Sequence, residues 1–420
     1  MRVLLLGGGG REHALGWKLA QSPQLDALVS CPGNPGLATL GDVVPDVDIL
    51  DPHQIVALSI DRQIDLVVIG PEGPLAHGVA DLLADNDIAV FGPRAAAAQL
   101  EASKSFAKNV MLAAEVPTAR SWTFTSREEA VDHLEASRGP YVVKADGLAA
   151  GKGVLVTESL EDAVAWAEDC LGGRFGSAGQ SVVIEEHLDG EELSIFYVCS
   201  QGRAIPFQPA RDYKRLSDDD IGPNTGGMGS YSPVEDLEHG LVAWTTDRVV
   251  LPTLRELEKR DIAYTGFLYV GLMLTSSGPK VLEFNCRLGD PETEVLMPLI
   301  SSDLLELLHA AATGTLDTHT VRFSDRAAVD VVLAAERYPD SPVLGATITG
   351  VSECQEAVVF HAGTEFSEGE LTVAGGRVLN VVGLGPTVRD ARDNAYDCVR
   401  KIEFDGMQFR TDVAADRKGA

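Results

Sequence analysis

"VVKADGLAAGKGVLV", residues 142 to 156, is an apolar run, a glycine-rich loop and a second apolar run, with lysines at 144 and 152. The first run reads as a strand that delivers Lys144. The loop, with Gly147, Gly151, Lys152 and Gly153, can fold over a polyphosphate and offer it backbone N–H groups. A Walker A loop is excluded, because G-x-x-x-x-G-K-[ST] needs Ser or Thr where Gly153 stands. A flexible hairpin with no ligand would show the same glycines; two lysines embedded among apolar and glycine residues favour an anion.

Around this loop, "EASKSFAKNVMLAAE" (101–115) reads as one helix. "SWTF", a helix "SREEAVDHLEAS", "YVVKAD", "GVLVT", a helix "LEDAVAWAEDCL" and "SVVIEEHL" then make a small α+β unit. Upstream, the first hundred residues alternate short apolar runs with helical patterns, the rhythm of an open parallel sheet with crossover helices. Ligands in such sheets sit at the carboxyl ends of strands, where this chain has "GGGGREHA", "CPGNPG", "GPEGP" and "FGPR". Gly7 to Gly10 before a helix suit a phosphate-bearing small substrate. NAD is disfavoured: the third glycine of G-x-G-x-x-G would fall at Glu12 or His13, and no acidic residue closes the second strand. His13 reads as either a substrate contact or a structural residue, and His361 as a structural strand residue.

Downstream, residues 189 to 324 carry the strands "ELSIFYVCS", "FLYVGLMLT" and "KVLEFN". Residues 325 to 420 read as strands with a hairpin in "VAGGRVLNVVGLG" (373–385) and a terminal helix. In "KVLEFNCRLGDPETEVL" (280–296), alternation places residues 281, 283 and 285 on one face. Glu283 and Asn285 therefore converge, a charged and a neutral oxygen ligand that suit Mg2+ sharing its sphere with substrate phosphates. Arg287 is shaped to grip a carboxylate or phosphate. The alternative is a strand-end salt-bridge network of Glu283, Arg287 and Asp290. "IEEHLDGEE" can read an adenine edge with its backbone and a ribose with an acid. "DYKR" (212–215) and "GPNTGGMGSYSP" (222–233) add cations and loop N–H groups.

The formal net charge of -29 disfavours nucleic acid and anionic membranes as partners. The N-terminus lacks the pattern of a signal peptide, and no apolar run is long enough for a membrane span. Six scattered cysteines with no C-x-x-C pair read as reduced thiols in a cytoplasmic protein.

Together, "GGGGREHAL", "GPEGPL", "FGP", "KADGLAAGKGV", "IEEHLDGEE", "GPNTGGMGSYSP", "TGFLY" and "EFNCRLGDPET" stand in the order found in the glycinamide ribonucleotide synthetases, and the chain closely resembles that ATP-grasp family nearly end to end. The resemblance implies an N-terminal open parallel α/β domain (1–102) and an ATP-grasp core (103–119 and 188–324). It also implies a lid subdomain (120–187) and a β-rich α+β C-terminal domain (325–420). The implied reaction joins glycine to 5-phosphoribosylamine with ATP, through glycyl phosphate, in purine biosynthesis. Implied cofactors are ATP and Mg2+, with Mn2+ as the alternative, and the implied state is a monomer or weak dimer.

Carried over onto this sequence, the metal ligands are Glu283 and Asn285. The ATP site takes Lys104, Lys144, Gly151, Lys152, Gly153, Glu185, Glu186 and Leu188, with Glu192 or Glu191 on the ribose. Arg287, Lys144, Asp212 and Lys214 act at the reacting groups. Asn224, Thr225, Gly226, Gly227 and Arg287 face the acceptor, and Gly9, Gly10, Arg11, Asn34 and Glu72 meet the phosphoribosylamine. Three positions depart from the family pattern: Leu288 stands for Phe, Arg211 for Gln, and "LAAERYP" lacks the usual glycine before "YP". The rivals are a carboxylating ATP-grasp enzyme, a dinucleotide oxidoreductase and a non-catalytic ATP-binding module.

Overall fold

The computed structural model describes residues 1–149, 153–316 and 319–415. Near the N-terminus, five parallel strands lie in the order Asp42–Val43, Ala27–Pro32, Arg2–Gly7, Leu66–Ile69, Val90–Phe91. "VLLL" at 3–6 is fully buried, as a strand covered by helices on both faces must be. Strand order reverses between Arg2–Gly7 and Leu66–Ile69, so the loops after these two strands, Gly7–Gly9 and Gly70–Pro71, border one crevice.

The strands Ser121–Phe124, Val182–Glu186, Tyr141–Ala145 and Val154–Thr157 form an antiparallel sheet in that order. Tyr141, Val143, Ala145, Val182 and Ile184 pack on the helices Arg127–Ala136 and Leu160–Asp169. A period of two then turns Lys144 and Glu185 to the opposite face. That face looks toward a second antiparallel sheet, Arg203–Pro206, Glu191–Ser200, Thr265–Thr275 and Gly278–Asn285, buried on both sides.

Four features differ from the sequence reading. The 101–115 segment is not one helix: helices Ala95–Ala102 and Lys104–Ala113 meet at Ser103, which is extended and caps Phe106 N–H. Asp146 makes the break, since its carboxylate accepts from Ser105 N–H at 2.7 Å and Ser105 Oγ at 2.6 Å. Secondly, the strand Gly278–Asn285 carries a bulge: Gly271 faces Glu283 but Leu272 faces Val281. The extra residue resets the phase. Val281 joins Phe284 in the apolar core, while Glu283 and Asn285 stay together on the cleft.

Thirdly, "VAGGRVLNVVGLG" is not a hairpin. Arg377–Gly385 instead pairs with Ala327–Ala334 and Ala357–His361, and the hairpin is Thr364–Ser367 with Glu370–Val373. Its two turn residues, Glu368 and Gly369, both have positive φ, the requirement of a tight two-residue turn. Finally, Cys354 and Cys398 are joined by a disulfide, their Cα atoms 5.2 Å apart, so they are not the thiols expected. The missing C-x-x-C spacing carried no information here, because the fold brings together residues 44 positions apart.

The C-terminal sheet runs Arg211–Asp212, Gly229–Ser232, Ala327–Ala334, Arg377–Gly385, Ala357–His361, all antiparallel. Its first two strands come from the 188–324 segment, so one sheet bridges the middle of the chain to its end. Among the described residues no helix is long and apolar enough to cross a membrane.

Candidate functional site

A cleft between the two facing sheets is lined by Lys104, Lys108, Lys144, Glu185, Glu283 and Asn285, with Arg287 at its edge. The break at Ser103 puts Lys104 in the first turn of its helix, where free N–H groups favour an anion. Lys104 Nζ donates to Gly147 O at 3.2 Å, touching the glycine loop. Glu185 Oε1 lies 3.0 Å from Lys144 Nζ, and its Oε2 lies 3.1 Å from Lys108 Nζ. Burial lowers the pKa of Lys104 and of Lys108, assisted by repulsion from Lys144 and opposed by the nearby carboxylates. Three partly desolvated ammonium groups in one cleft of a chain with net charge -29 are suited to a polyanion.

Two charged cleft residues were absent from the sequence-derived set. Lys108 follows Lys104 by one helical turn, and that i, i+4 spacing was a readable signal. Glu101 was not readable. Its carboxylate accepts from Cys286 N–H at 2.7 Å and pairs with Arg287 at 2.9 Å. It also takes the Asn285 amide N at 3.1 Å when that amide points its N–H groups at Glu101 and Phe284 O. This orientation leaves Asn285 Oδ1 as the atom turned away from Glu101, so an oxygen of Asn285 can stand beside the Glu283 carboxylate. A divalent cation fits that donor pair if it draws its other ligands from phosphate oxygens and water.

Strand alternation separates the paired acids. Glu186 leaves the Glu185 face and binds Arg120 and Lys280, at 2.9 and 3.1 Å. Burial opposes its ionisation, but these hydrogen bonds bring its pKa down to about 2. Leu188, half-buried, sits in the link between the two sheets. Glu192 pairs with Lys214 at 2.8 Å and feels Lys144, whereas Glu191 pairs with Arg211 at 3.0 Å. Of the two, Glu192 is the one facing the lysines. Gly153 lines the cleft; Gly151 and Lys152 lie outside the described residues.

Beyond the cleft edge, Lys214 Nζ bridges Glu192 and Asp212, the latter at 2.7 Å. Burial works against its charge, but these two carboxylates raise its pKa well above the usual value. Glu292, a polar residue of the 280–296 stretch to which the sequence assigned no role, is buried beside them and accepts from Ser194 Oγ at 2.9 Å. Burial and the Asp212 charge push its pKa up to about 7, against the pull of Lys214. The 224–227 loop is stapled in place: Thr225 Oγ1 donates to Lys214 O at 2.9 Å, and Arg377 donates to Gly226 O at 2.7 Å. Gly227 N–H donates to Thr225 Oγ1 at 3.0 Å, and Asn224 is exposed on a two-stranded ribbon. Arg211 points away from Asp212 toward Glu191, Asp236 and Tyr231, and the Leu288 side chain is in the core.

On the N-terminal side, Glu12 fills the space between Gly7 and Gly70, where a Cβ at either would lie within 2.4 Å of its side chain. Its carboxylate accepts from Gly9 N–H at 2.8 Å and pairs with Arg11 at 2.6 Å. This is why a carboxylate stands where a dinucleotide fold needs its third glycine. Gly10 starts the helix, and Arg11 donates across to Leu288 O at 3.3 Å. Asn34 Nδ2 donates to Gly8 O and His361 O, at 3.0 and 2.7 Å, and its Oδ1 accepts from Leu37 N–H. His13 Nδ1 accepts from His361 N–H at 2.8 Å; burial, then His361, lowers its pKa to about 3, so it is a neutral structural residue. Glu72 lies 3.5 Å from Arg287, completing a charged row from the N-terminal crevice to the cleft.

Models of the phosphoribosylglycinamide synthetase N domain, ATP-grasp (A) domain and C domain match residues 1–101, 102–293 and 328–416. The chain is 47% identical over 416 residues to a phosphoribosylamine-glycine ligase of Ralstonia nicotianae, covering 98% of both chains. It is 48% identical over 427 residues to one of Streptomyces coelicolor, covering 100% of both. A crystal structure of phosphoribosylamine-glycine ligase from Thermotoga maritima superposes with TM-score 0.85 at 37% identity, covering 98% of this chain and 100% of that one. A biotin carboxylase from Campylobacter jejuni, at TM-score 0.74 and 14% identity over 97% of this chain and 92% of the other, shares the fold alone.

Proposed function

This chain belongs to the phosphoribosylglycinamide synthetase family, and from that premise we propose how its residues perform the family's ligation. It is an enzyme of purine biosynthesis, an ATP-grasp ligase that joins glycine to phosphoribosylamine and uses ATP and a divalent metal. The observation that carries the residue assignment is the convergence of Lys104, Lys108 and Lys144 with Glu283 and Asn285 in one cleft.

A carboxylate is a poor electrophile at neutral pH, so glycine must be activated before an amine can attack it. One glycine oxygen attacks the γ-phosphorus of ATP; the P–O bond to the β-phosphate breaks, and ADP leaves. The amine of phosphoribosylamine then attacks the carbonyl of glycyl phosphate, loses a proton, and expels phosphate as the amide forms. Lys104 and Lys144 hold the phosphates, Arg287 holds the glycine carboxylate and the phosphoryl oxygens, and Glu192 takes the ribose diol. Glu283 and Asn285 would hold Mg2+, with Mn2+ as the alternative, which supplies charge neutralisation at the phosphates when bound. Asp212 and Lys214 orient the acceptor end. Glu292, poised near neutrality, is suited to accept the amine proton. Gly9, Gly10 and Arg11 receive the sugar phosphate at the start of the first helix. The location in this reading is the cytoplasm.

The test is ADP release by the purified chain with ATP, Mg2+, glycine, and phosphoribosylamine formed in situ from ribose 5-phosphate and ammonia. Release that requires both glycine and the sugar amine, with their amide as product, is the expected result. Release supported by bicarbonate without glycine would move the chain to the carboxylating branch of the fold.

A further inference from the structure

We propose that Glu294, Asp330 and Asn380 form a buried site for a hard, oxygen-preferring cation, separate from Glu283 and Asn285. The three residues come from the helix Glu292–Leu299 and from the strands Ala327–Ala334 and Arg377–Gly385, below the start of the first helix at Gly10. All are at most 1% exposed.

Both oxygens of Glu294, both of Asp330 and both amide atoms of Asn380 lack a hydrogen-bond partner. Native interiors rarely leave one such atom unpaired, and here six stand together. They face a common space. Val332 pairs with Asn380 and Asp330 with Val382, so Asp330 and Asn380 are diagonal neighbours on one face of the sheet. A Cβ at Gly10 would lie 2.2 Å from Asn380 Nδ2 and 2.6 Å from Glu294 Oε1, so a residue with no side chain is what keeps this space open.

The charges do not balance within the protein. Asp290 has Arg377, 3.0 Å away, but the same Arg377 NH1 also serves Gly226 O and Asp290 O. Glu294 and Asp330 therefore share one guanidinium with Asp290, and burial, with the charge of Asp290 next, raises both carboxyl pKa values against the pull of Arg377. A buried carboxylate without a counter-ion costs several kcal/mol, so a proton or a cation must be present. A proton fits poorly. One proton shared between the two carboxyls would find an acceptor but would still leave a buried negative charge, which the backbone N–H groups of Glu294 and Val381 offset only in part. A cation shared by oxygens of Glu294, Asp330 and Asn380 removes that charge and leaves Asn380 Nδ2 to donate to a carboxylate, and an oxygen donor set selects Ca2+, Mg2+ or K+ over softer ions.

The experiment is thermal unfolding of the full chain, stripped with chelator and free of nucleotide, titrated with CaCl2, MgCl2 or KCl at constant ionic strength. One of these ions should raise the midpoint saturably, by about 4 °C at a hundredfold excess over its Kd. The double variant Glu294→Gln, Asp330→Asn should lose that rise, whereas Glu283→Gln should keep it. A midpoint indifferent to all three ions, or one that only climbs on acidification, would overturn the proposal in favour of trapped water or a shared proton. Should the double variant fail to fold, crystals of the native chain soaked in MnCl2 or TlCl decide: an anomalous peak between Glu294 and Asp330 supports the site, and none there overturns it.

Discussion

The cleft between the sheets and the glycine loop at the N-terminus are both glycine-bordered, basic and built for anions, yet they differ in how their polar groups are engaged. In the cleft, Lys104, Lys108 and Lys144 lean on Gly147 O, the single Glu185 carboxylate and the Thr118 hydroxyl, and have charge to spare for a ligand. At the N-terminal loop, Asn34, Arg11, Glu12 and His13 are already bound to the protein itself. A glycine-rich loop is thus as much a device for close packing as a cradle for ligands. Which of the two it is depends on whether its neighbours are still free.

The largest effect that would sharpen this contrast is in the cleft. Glu283→Gln should cut turnover by roughly 100-fold or more, the scale of losing a positioned charge in phosphoryl transfer, with circular dichroism unchanged. Turnover that is unaltered at low Mg2+ would break the metal assignment. Asn34→Ala is the counterpart at the loop. Losing its bonds to Gly8 O, His361 O and Leu37 N–H should cost about 3 kcal/mol in chemical denaturation. If stability held and only the KM for phosphoribosylamine rose, Asn34 would be a substrate contact rather than a packing residue.

A smaller effect is expected from His13. Its folded-state pKa, about 3, is below the ordinary 6.5, so the native state holds the neutral ring. Its stabilising contribution is complete above pH 6.5 and is lost as pH falls toward 3. His13→Gln should flatten the fall of the melting midpoint over that range, and an unchanged slope would remove His13 from the structural set. Smallest is Arg337, at φ 64 where the family pattern has glycine. Arg337→Gly should raise stability by up to about 1 kcal/mol, because the left-handed conformation is strained for a residue with a Cβ. A loss of stability would show that the Arg337 side chain contributes contacts of its own.

Legibility in the sequence varied with the range of the interaction. Alternation found the shared face of Glu283 and Asn285, yet placed Val281 beside them, because a bulge depends on the partner strand's register. Helical periodicity ran through Ser103, since the break is imposed by Asp146, 43 residues away. Lys108 was one turn from a residue already chosen. Glu101 had no local signature at all: its partners Asn285, Cys286 and Arg287 lie 184 to 186 positions on. The disulfide was unreadable for the same reason.

By itself the sequence determined the parallel N-terminal sheet, the glycine loops, the family and the residue types that carry the chemistry. These follow from φ/ψ preferences and side-chain periodicity, which act over a few residues. Only the tertiary structure decided which acids remain beside cations, which loops are stapled shut and which buried carboxylates have no counter-charge. Those outcomes depend on burial and on pairing between distant segments. A strand from the middle of the chain in the C-terminal sheet, or Gly10 over Glu294 and Asn380, comes into being only when the domains pack.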